Sequence, residues 1–187
     1  MTIGALTILG AALLSQAPAA RILAVDPAAS TLGYNIVHKL HKVHGESKEV
    51  AAKAALQPDG SALVMVRVPA KSFVSGDANR DEHAQEVLES KKYPYVVLKG
   101  TAKLLYPEKY PATLDVVVDG RLDFHGRARE LKVPLRVELK SADEAHVKGE
   151  FNVSLDEFGV ERPSLLFIKI DDACRIEIDL TLKAEAK

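Results

Sequence analysis

The chain has 187 residues, one cysteine, no tryptophan and a formal net charge of −1. This length suits one domain with its own hydrophobic core, and a single cysteine excludes an intrachain disulfide. The near-zero net charge gives no basis for electrostatic binding to nucleic acid or to an acidic membrane surface.

The first twenty residues differ in composition from the rest. Residues 3–14 are nearly all apolar, and Ala17, Pro18 and Ala19 fit the small-residue cleavage pattern of a secretory signal peptide. The apolar run is shorter than the ~20 residues that span a bilayer. We therefore predict a signal peptide over residues 1–19, a mature domain over residues 20–187 and a periplasmic or secreted protein without a stable membrane anchor. A buried N-terminal helix or an uncleaved anchor is the alternative.

Most of the remaining chain alternates between apolar and polar residues with period two, which is typical of strands with one buried face. The clearest runs are residues 131–140 and 174–183. Pro134 interrupts the first run and indicates a bulge or a sheet edge, because proline has no N–H for the ladder. The other predicted strands are Thr31–His38, Glu49–Leu56, Ala62–Pro69, Tyr95–Leu105, Leu114–Phe124 and Ala145–Leu155.

One segment has the period of a helix instead. Asn79, followed three residues later by Glu82, has the pattern of a capping box, and apolar residues after it share one helical face. The sequence therefore predicts one short helix from about Arg80 to Glu89.

The apolar faces of these strands need a common interior, because a sheet with one apolar face must close on itself or pack against another layer. We predict an all-β fold of about eight mostly antiparallel strands and one short helix, with the sheet either closed on itself as a barrel or packed against another layer. Barrels of this size are filled by side chains or hold one ligand. Small residues such as Ala52 and Ala54 favour a cavity without deciding it. The apolar residues expected to face inward form a stripe along each strand. These stripes are our candidate ligand-binding residues: Tyr34, Ile36, Val64, Val66, Leu122, Phe124, Leu135, Val137, Phe151, Val153, Ile176 and Ile178.

Three histidines, His38, His41 and His44, recur at a spacing of three. Imidazole is a common metal ligand, but on a strand His41 faces away from the other two, and on a helix the three spread over roughly 120°. Only a loop would bring them together. We interpret the segment as a solvated strand-to-loop connection with His38 at the barrel mouth, and we predict no metal or other cofactor. A metal site on these histidines is kept as an alternative.

Polar residues at the predicted helix start are further candidates. Arg80 and His83, with Asp81 between them, are placed to hold a ligand head group, since a helix N-terminus favours anions. The alternative is that Asp81 only complements the helix dipole and Arg80 pairs on the surface.

Motifs for catalysis are weak. The acidic pairs at 156–157 and 171–172 would point to opposite faces on strands, which does not suit a two-carboxylate hydrolase. Cys174 faces inward by parity and is interpreted as a small core residue rather than a nucleophile. The sequence has no nucleophile elbow, phosphate loop or dinucleotide fingerprint. We therefore predict that the protein is not an enzyme.

Several segments, taken in order, resemble one known family. They are residues 25–34, 80–83 with 92–94, the hairpin 120–126, and residues 149–151 with 156–160. Over about residues 24–182 the chain resembles the YceI-like family of exported, polyisoprenoid-binding β-barrel proteins. It departs from the family in having Asp123 and Phe124 before the His-Gly of the hairpin, and in lacking an aromatic residue after Gly45.

The resemblance implies an extended antiparallel β-barrel of about eight strands, with a lipocalin-like shape, one short helix and a ligand inside. It implies that the stripes, with His38, Arg80 and His83, bind a long isoprenoid-type lipid, such as a quinone or a polyprenyl chain, which the protein carries or sequesters without reaction. Pairing of two copies is left open. The alternatives are an exported structural or stress-related β-domain with a filled core, and a metal-associated protein using the histidine run.

Overall fold

A computed structural model of the chain describes residues 21–38, 41–105, 107–165 and 168–185. Within these ranges the chain is mostly β-strand, with one α-helix, α1 (Ala78–Val87), and two short 3-10 turns, Pro27–Ala29 and Ala70–Ser72. The strands are β1 (Arg21–Val25), β2 (Thr31–His38), β3 (His41–Ser47), β4 (Ala51–Leu56), β5 (Ser61–Pro69), β6 (Tyr95–Lys103), β7 (Ala112–Phe124), β8 (Arg127–Leu139), β9 (Glu144–Ser154), β10 (Ser164–Leu165), β11 (Ile168–Lys169) and β12 (Ala173–Ala184).

Eight of these strands close into an antiparallel barrel in the order β1-β4-β5-β6-β7-β8-β9-β12, with β12 paired to β1. One edge of β12 serves two neighbours. Its first half pairs with β2 and its last residues pair with β1, while β2 and β3 form a hairpin that extends beyond the ring. The predicted antiparallel barrel of about eight strands with one short helix is confirmed.

Alternation in the sequence predicts seven of the eight ring strands and also β2. It misses β1 in the ring, β3 in the hairpin, and the two-residue strands β10 and β11. In β1 four apolar residues follow Arg21 without alternation. In β3 the inward positions include Gly45 and Ser47 instead of apolar side chains, so no stripe is visible. Gly45 is required there because a Cβ atom would lie 2.5 Å from the ring of Tyr34 on β2.

Pro134 lies at a break in the barrel wall. β8 pairs with β7 along its whole length, but it pairs with β9 only from Leu135 to Leu139. The ladder between β8 and β9 therefore ends at the proline, which confirms the sheet edge among the two interpretations of Pro134.

The loop of residues 155–163 closes this break. The side chains of Arg127 and Arg129, at the start of β8, each donate a hydrogen bond to the main-chain oxygen of Glu157. Phe158 and Val160 of the loop are buried in the core. We call this segment the plug loop, since it fills the space that β8 and β9 leave between them.

The helix begins two residues earlier than the sequence indicates, and its N-cap is Asp77 rather than Asn79. Asp77 has extended backbone, and its carboxylate accepts a hydrogen bond from the main-chain N–H of Arg80 at 3.1 Å. Both residue types cap helices well. A capping box needs Glu or Gln three residues after the cap. Glu82 meets this condition for Asn79, whereas the residue three places after Asp77 is Arg80, so the pattern indicated Asn79 instead of Asp77.

We expect Asp77→Ala to lower the free energy of unfolding by about 1 kcal/mol, because the first-turn N–H loses its acceptor. Asn79→Ala is the matched control and is expected to change it by less than about 0.5 kcal/mol. Urea unfolding of both variants measures the difference. A larger loss from Asn79→Ala would show that the cap is assigned to the wrong residue.

Candidate ligand-binding cavity

The barrel encloses a cavity of about 780 Å³. Protein cores hold few voids larger than a water molecule, and small-molecule pockets span about 300–1,000 Å³. The cavity runs from Arg21, Tyr110 and Ser141, at the end where β1 begins, to α1 at the other end. We call these the terminal end and the helix end. The interior is therefore open over the length of the barrel rather than filled by side chains.

The structure brings the predicted stripes together around this cavity. Those that border it are Tyr34, Ile36, Val64, Val66, Arg80, His83, Leu122, Phe124, Leu135, Val137, Phe151, Val153, Ile176 and Ile178. The backbone of His38 ends β2, but its side chain lies outside the described residues. That these residues bind a ligand stays a prediction, since their placement shows only which surface a ligand would meet.

Many other wall residues were not singled out from the sequence. They are buried, they border the cavity, and they include Leu23, Val68, Leu98, Ala102, Val116, Val118, Val133, Val147, Leu180 and Leu182. Most continue the same parity along β5 to β9 and β12, so extending each stripe to the strand ends would have found them. Ala52 and Ala54 also border the cavity, and their small side chains leave space on the β4 wall.

The helix end holds most of the polar groups that border the cavity. Arg80 donates from Nε to Oγ of Ser75 at 2.8 Å and from Nη2 to the main-chain oxygen of Ser75 at 3.2 Å. Asp81 accepts from the main-chain N–H of Ser75 at 2.9 Å. His83 lies 3.7 Å from the Glu86 carboxylate and is mostly exposed. Arg80 and Asp81 are thus fixed by the turn before the helix, as well as bordering the cavity.

Tyr34 borders the cavity at the helix end. Its ring packs edge-on against Phe73, with ring centroids 5.6 Å apart, and lies over Gly45. Burial raises the pKa of Tyr34 above its ordinary value. The hydroxyl therefore stays protonated at neutral pH and can donate to an oxygen atom of a ligand head group.

The histidines of the β2–β3 hairpin diverge. His41 borders the cavity, whereas His44 lies on the outer face, with Nδ1 3.0 Å from Oδ1 of Asn35 and Nε2 3.0 Å from Glu46. In the described parts of the chain, no group of three or more His, Cys, Asp or Glu side chains is arranged to hold a metal ion. The metal alternative on His38, His41 and His44 would need His41 and His44 on one face, and β3 places them on opposite faces.

The acidic pairs of the sequence hold the plug loop. Asp156 accepts two hydrogen bonds from Arg162, each at 2.8 Å, and Asp172 accepts one from the main-chain N–H of Asp156 at 2.8 Å. That hydrogen bond is the largest cause that lowers the pKa of Asp172. These carboxylates therefore have structural partners at the junction of the loop and β12.

Cys174 is buried and borders the cavity near the helix end, as the parity of β12 predicts. Burial raises the pKa of its thiol to about 12. The thiolate, which is the nucleophilic form, is therefore almost absent at neutral pH.

We expect native Cys174 to react with a thiol-specific disulfide reagent at pH 8 about a thousandfold more slowly than the same cysteine in urea-unfolded protein. The reason is that the native thiol has both a raised pKa and little access to solvent. Absorbance of the released thiol measures both rates. Equal rates would mean that the cavity wall at Cys174 is open to water.

The barrel and its cavity define the class of protein, a closed antiparallel β-barrel with an apolar interior of ligand size. The family follows from the sequence comparison. The sequence model of the YceI-like domain family matches residues 23–182 of this chain, so the chain belongs to the YceI-like family. No curated protein matches the chain. In the described residues, no helix is both long and apolar enough to cross a membrane.

Solved structures share this fold at low sequence identity. A polyisoprenoid-binding domain from Saccharophagus degradans, implicated in plant cell wall breakdown, has 17% identity and a TM-score of 0.70, over 87% of this chain and 98% of that one. BcnA from Burkholderia cenocepacia has 20% identity and a TM-score of 0.66, over 84% and 98%. A YceI protein from Campylobacter jejuni has 15% identity and a TM-score of 0.61, over 81% and 90%.

Proposed function

We propose that the protein binds a long isoprenoid-type lipid, such as a quinone or a polyprenyl chain, in the barrel cavity and carries or sequesters it without reaction. The observation that carries this proposal is a cavity of about 780 Å³ whose walls are apolar between two polar ends. Membership of the YceI-like family and the fold shared with a polyisoprenoid-binding domain support it.

The dimensions of the barrel favour a chain over a compact ligand. β12 has 12 residues, and at ~3.4 Å per residue it is about 40 Å long. Tilted as barrel strands are, by about 35–45°, it spans about 30 Å along the axis. An extended hydrocarbon chain can follow this axis and contact apolar side chains over its whole length.

Apolar contact alone is sufficient for tight binding. Drug-sized ligands gain about 0.3 kcal/mol for each heavy atom. A chain of forty carbon atoms would at that rate gain about 12 kcal/mol, which corresponds to a dissociation constant near nanomolar. Such a ligand would remain bound during purification.

The proposal includes export to the periplasm or the medium, with removal of residues 1–19. The support is the apolar run of residues 3–14 with its small-residue cleavage pattern. Residues 1–20 lie outside the described residues. N-terminal sequencing of protein recovered from the periplasm or medium of producing cells is expected to begin at Ala20, and an intact leader would contradict this part.

Native mass spectrometry of the recovered protein, followed by organic extraction, tests the function. We expect a complex whose excess mass belongs to an extractable species with a long unsaturated tail. A ligand-free mass, together with no binding of added quinone or polyprenyl lipid, would contradict the proposal and favour a β-domain with an unused interior.

A further inference from the structure

The charges around the cavity indicate what kind of head group the lipid has. We propose that the ligand carries an uncharged polar head group, and that carboxylates at the helix end select against phosphorylated isoprenoids. This inference rests on the proposed function and narrows its ligand class.

At the helix end, carboxylate side chains outnumber arginine and lysine side chains. Asp77, Asp81 and Glu161 border the cavity there, whereas Arg80 is the one arginine or lysine among the described bordering residues of that end. Two of the nitrogen atoms of Arg80 already donate to Ser75. A phosphate group placed here would meet a net negative charge and one partly engaged guanidinium.

The start of α1 does not offer the usual anion site. Helix N-termini bind phosphate through unpaired main-chain N–H groups. In this helix the carboxylate of Asp77 accepts from the N–H of Arg80 at 3.1 Å. The chain therefore supplies its own anion at the position where a phosphate would bind.

Cations at the terminal end are paired with acidic residues. Arg21 donates to the main-chain oxygen of Ala142 at 2.7 Å, and its Nε lies 3.7 Å from Asp143. Lys53 alternates along β4 with the inward Ala52 and Ala54, and its ammonium group pairs with Glu185. A phosphate at this end would have to compete with carboxylates already present.

Neutral polar groups are available instead. Tyr34, Asn79 and Gln85 border the cavity at the helix end. Their hydroxyl and amide groups donate to carbonyl oxygens, and donate to or accept from hydroxyl groups, without adding charge. This set suits the oxygen atoms of a quinone or an isoprenoid alcohol.

The test compares geranylgeraniol with geranylgeranyl monophosphate, which share one chain and differ in the head group. Displacement of an environment-sensitive fluorescent dye from the full chain measures both dissociation constants. We expect the alcohol to bind at least about tenfold more tightly than the phosphate, a difference of about 1.4 kcal/mol.

A double variant, Asp77→Asn with Glu161→Gln, removes two carboxylates while asparagine keeps the helix cap. We expect it to raise the ratio of phosphate affinity to alcohol affinity by about tenfold. The matched control is Asp115→Asn with Glu130→Gln, two exposed carboxylates outside the cavity lining, and it is expected to leave the ratio as in the parent.

The outcomes separate the two proposals. Phosphate binding equal to or tighter than alcohol binding would overturn the head-group inference while leaving the lipid-carrier function intact. An equal change of the ratio in both double variants would also overturn it, because the effect would then be one of net charge. Failure of both lipids to displace the dye would remove the proposed function and the head-group inference with it.

Discussion

Ala52→Trp is expected to lower the affinity for a long isoprenoid chain by about a hundredfold while the barrel stays folded. Ala52 is 6% exposed and borders the cavity, so the indole enters open space. It adds about nine heavy atoms, and excluding as many ligand atoms at about 0.3 kcal/mol each removes about 2.7 kcal/mol of binding free energy. The parent has no tryptophan, so the new side chain also reports its environment by fluorescence.

The neighbouring substitution Ala51→Trp is the matched control. Ala51 is exposed on the same strand, opposite Arg67 of β5, so its indole points to solvent. We expect red-shifted emission and parent-like affinity for Ala51→Trp, against blue-shifted emission and weak binding for Ala52→Trp. If Ala52→Trp instead loses about 1–3 kcal/mol of folding stability, the interior is already packed, and the cavity-based function fails.

Phe158→Ala is expected to lower the free energy of unfolding by about 3–5 kcal/mol, the cost of removing a packed aromatic side chain. Phe158 is 2% exposed, its ring centroid lies 5.4 Å from that of Phe124, and its main-chain oxygen accepts from His125. It anchors the plug loop where β8 and β9 separate. Urea unfolding at fixed protein concentration measures the loss.

Phe151→Ala provides the comparison, because Phe151 is partly buried and borders the cavity instead of a packed region. One side of its ring has fewer atoms to contact, so less packing is lost and the expected cost is about 2 kcal/mol. Equal costs for the two variants would contradict the division between a packed plug and an open cavity.

Side-chain parity made the barrel and much of its wall predictable. Along β8, Val133 and Val137 are buried while Lys132 and Arg136 are exposed, as the alternation requires. The strand β3 was not predictable in this way, because glycine and serine occupy inward positions, and the glycine makes room for Tyr34. The helix cap was misassigned because two good capping residues lie two positions apart.

The plug loop and the charge balance of the cavity could not be predicted from the sequence, for a different reason. Both depend on residues from distant segments that meet only after folding, such as Arg127 with Glu157 or Arg21 with Asp143. The sequence marked Pro134 as unusual but did not show what would cover the gap. It likewise marked Arg80, Asp81 and His83 without showing that Asp77 and Glu161 border the same end of the cavity.

Closure of the ring has a consequence for the order of folding. The last seam joins β1 to β12 through three residue pairs, from Leu23 with Ala184 to Val25 with Leu182, and these partners are about 160 residues apart in the chain. Contacts at such separation are slow to form, because the intervening chain must first lose its freedom. The neighbouring hairpins have shorter loops to close, so we expect the sheet to form first as an open, curved surface. A lipid present at that stage can be enclosed as the seam forms.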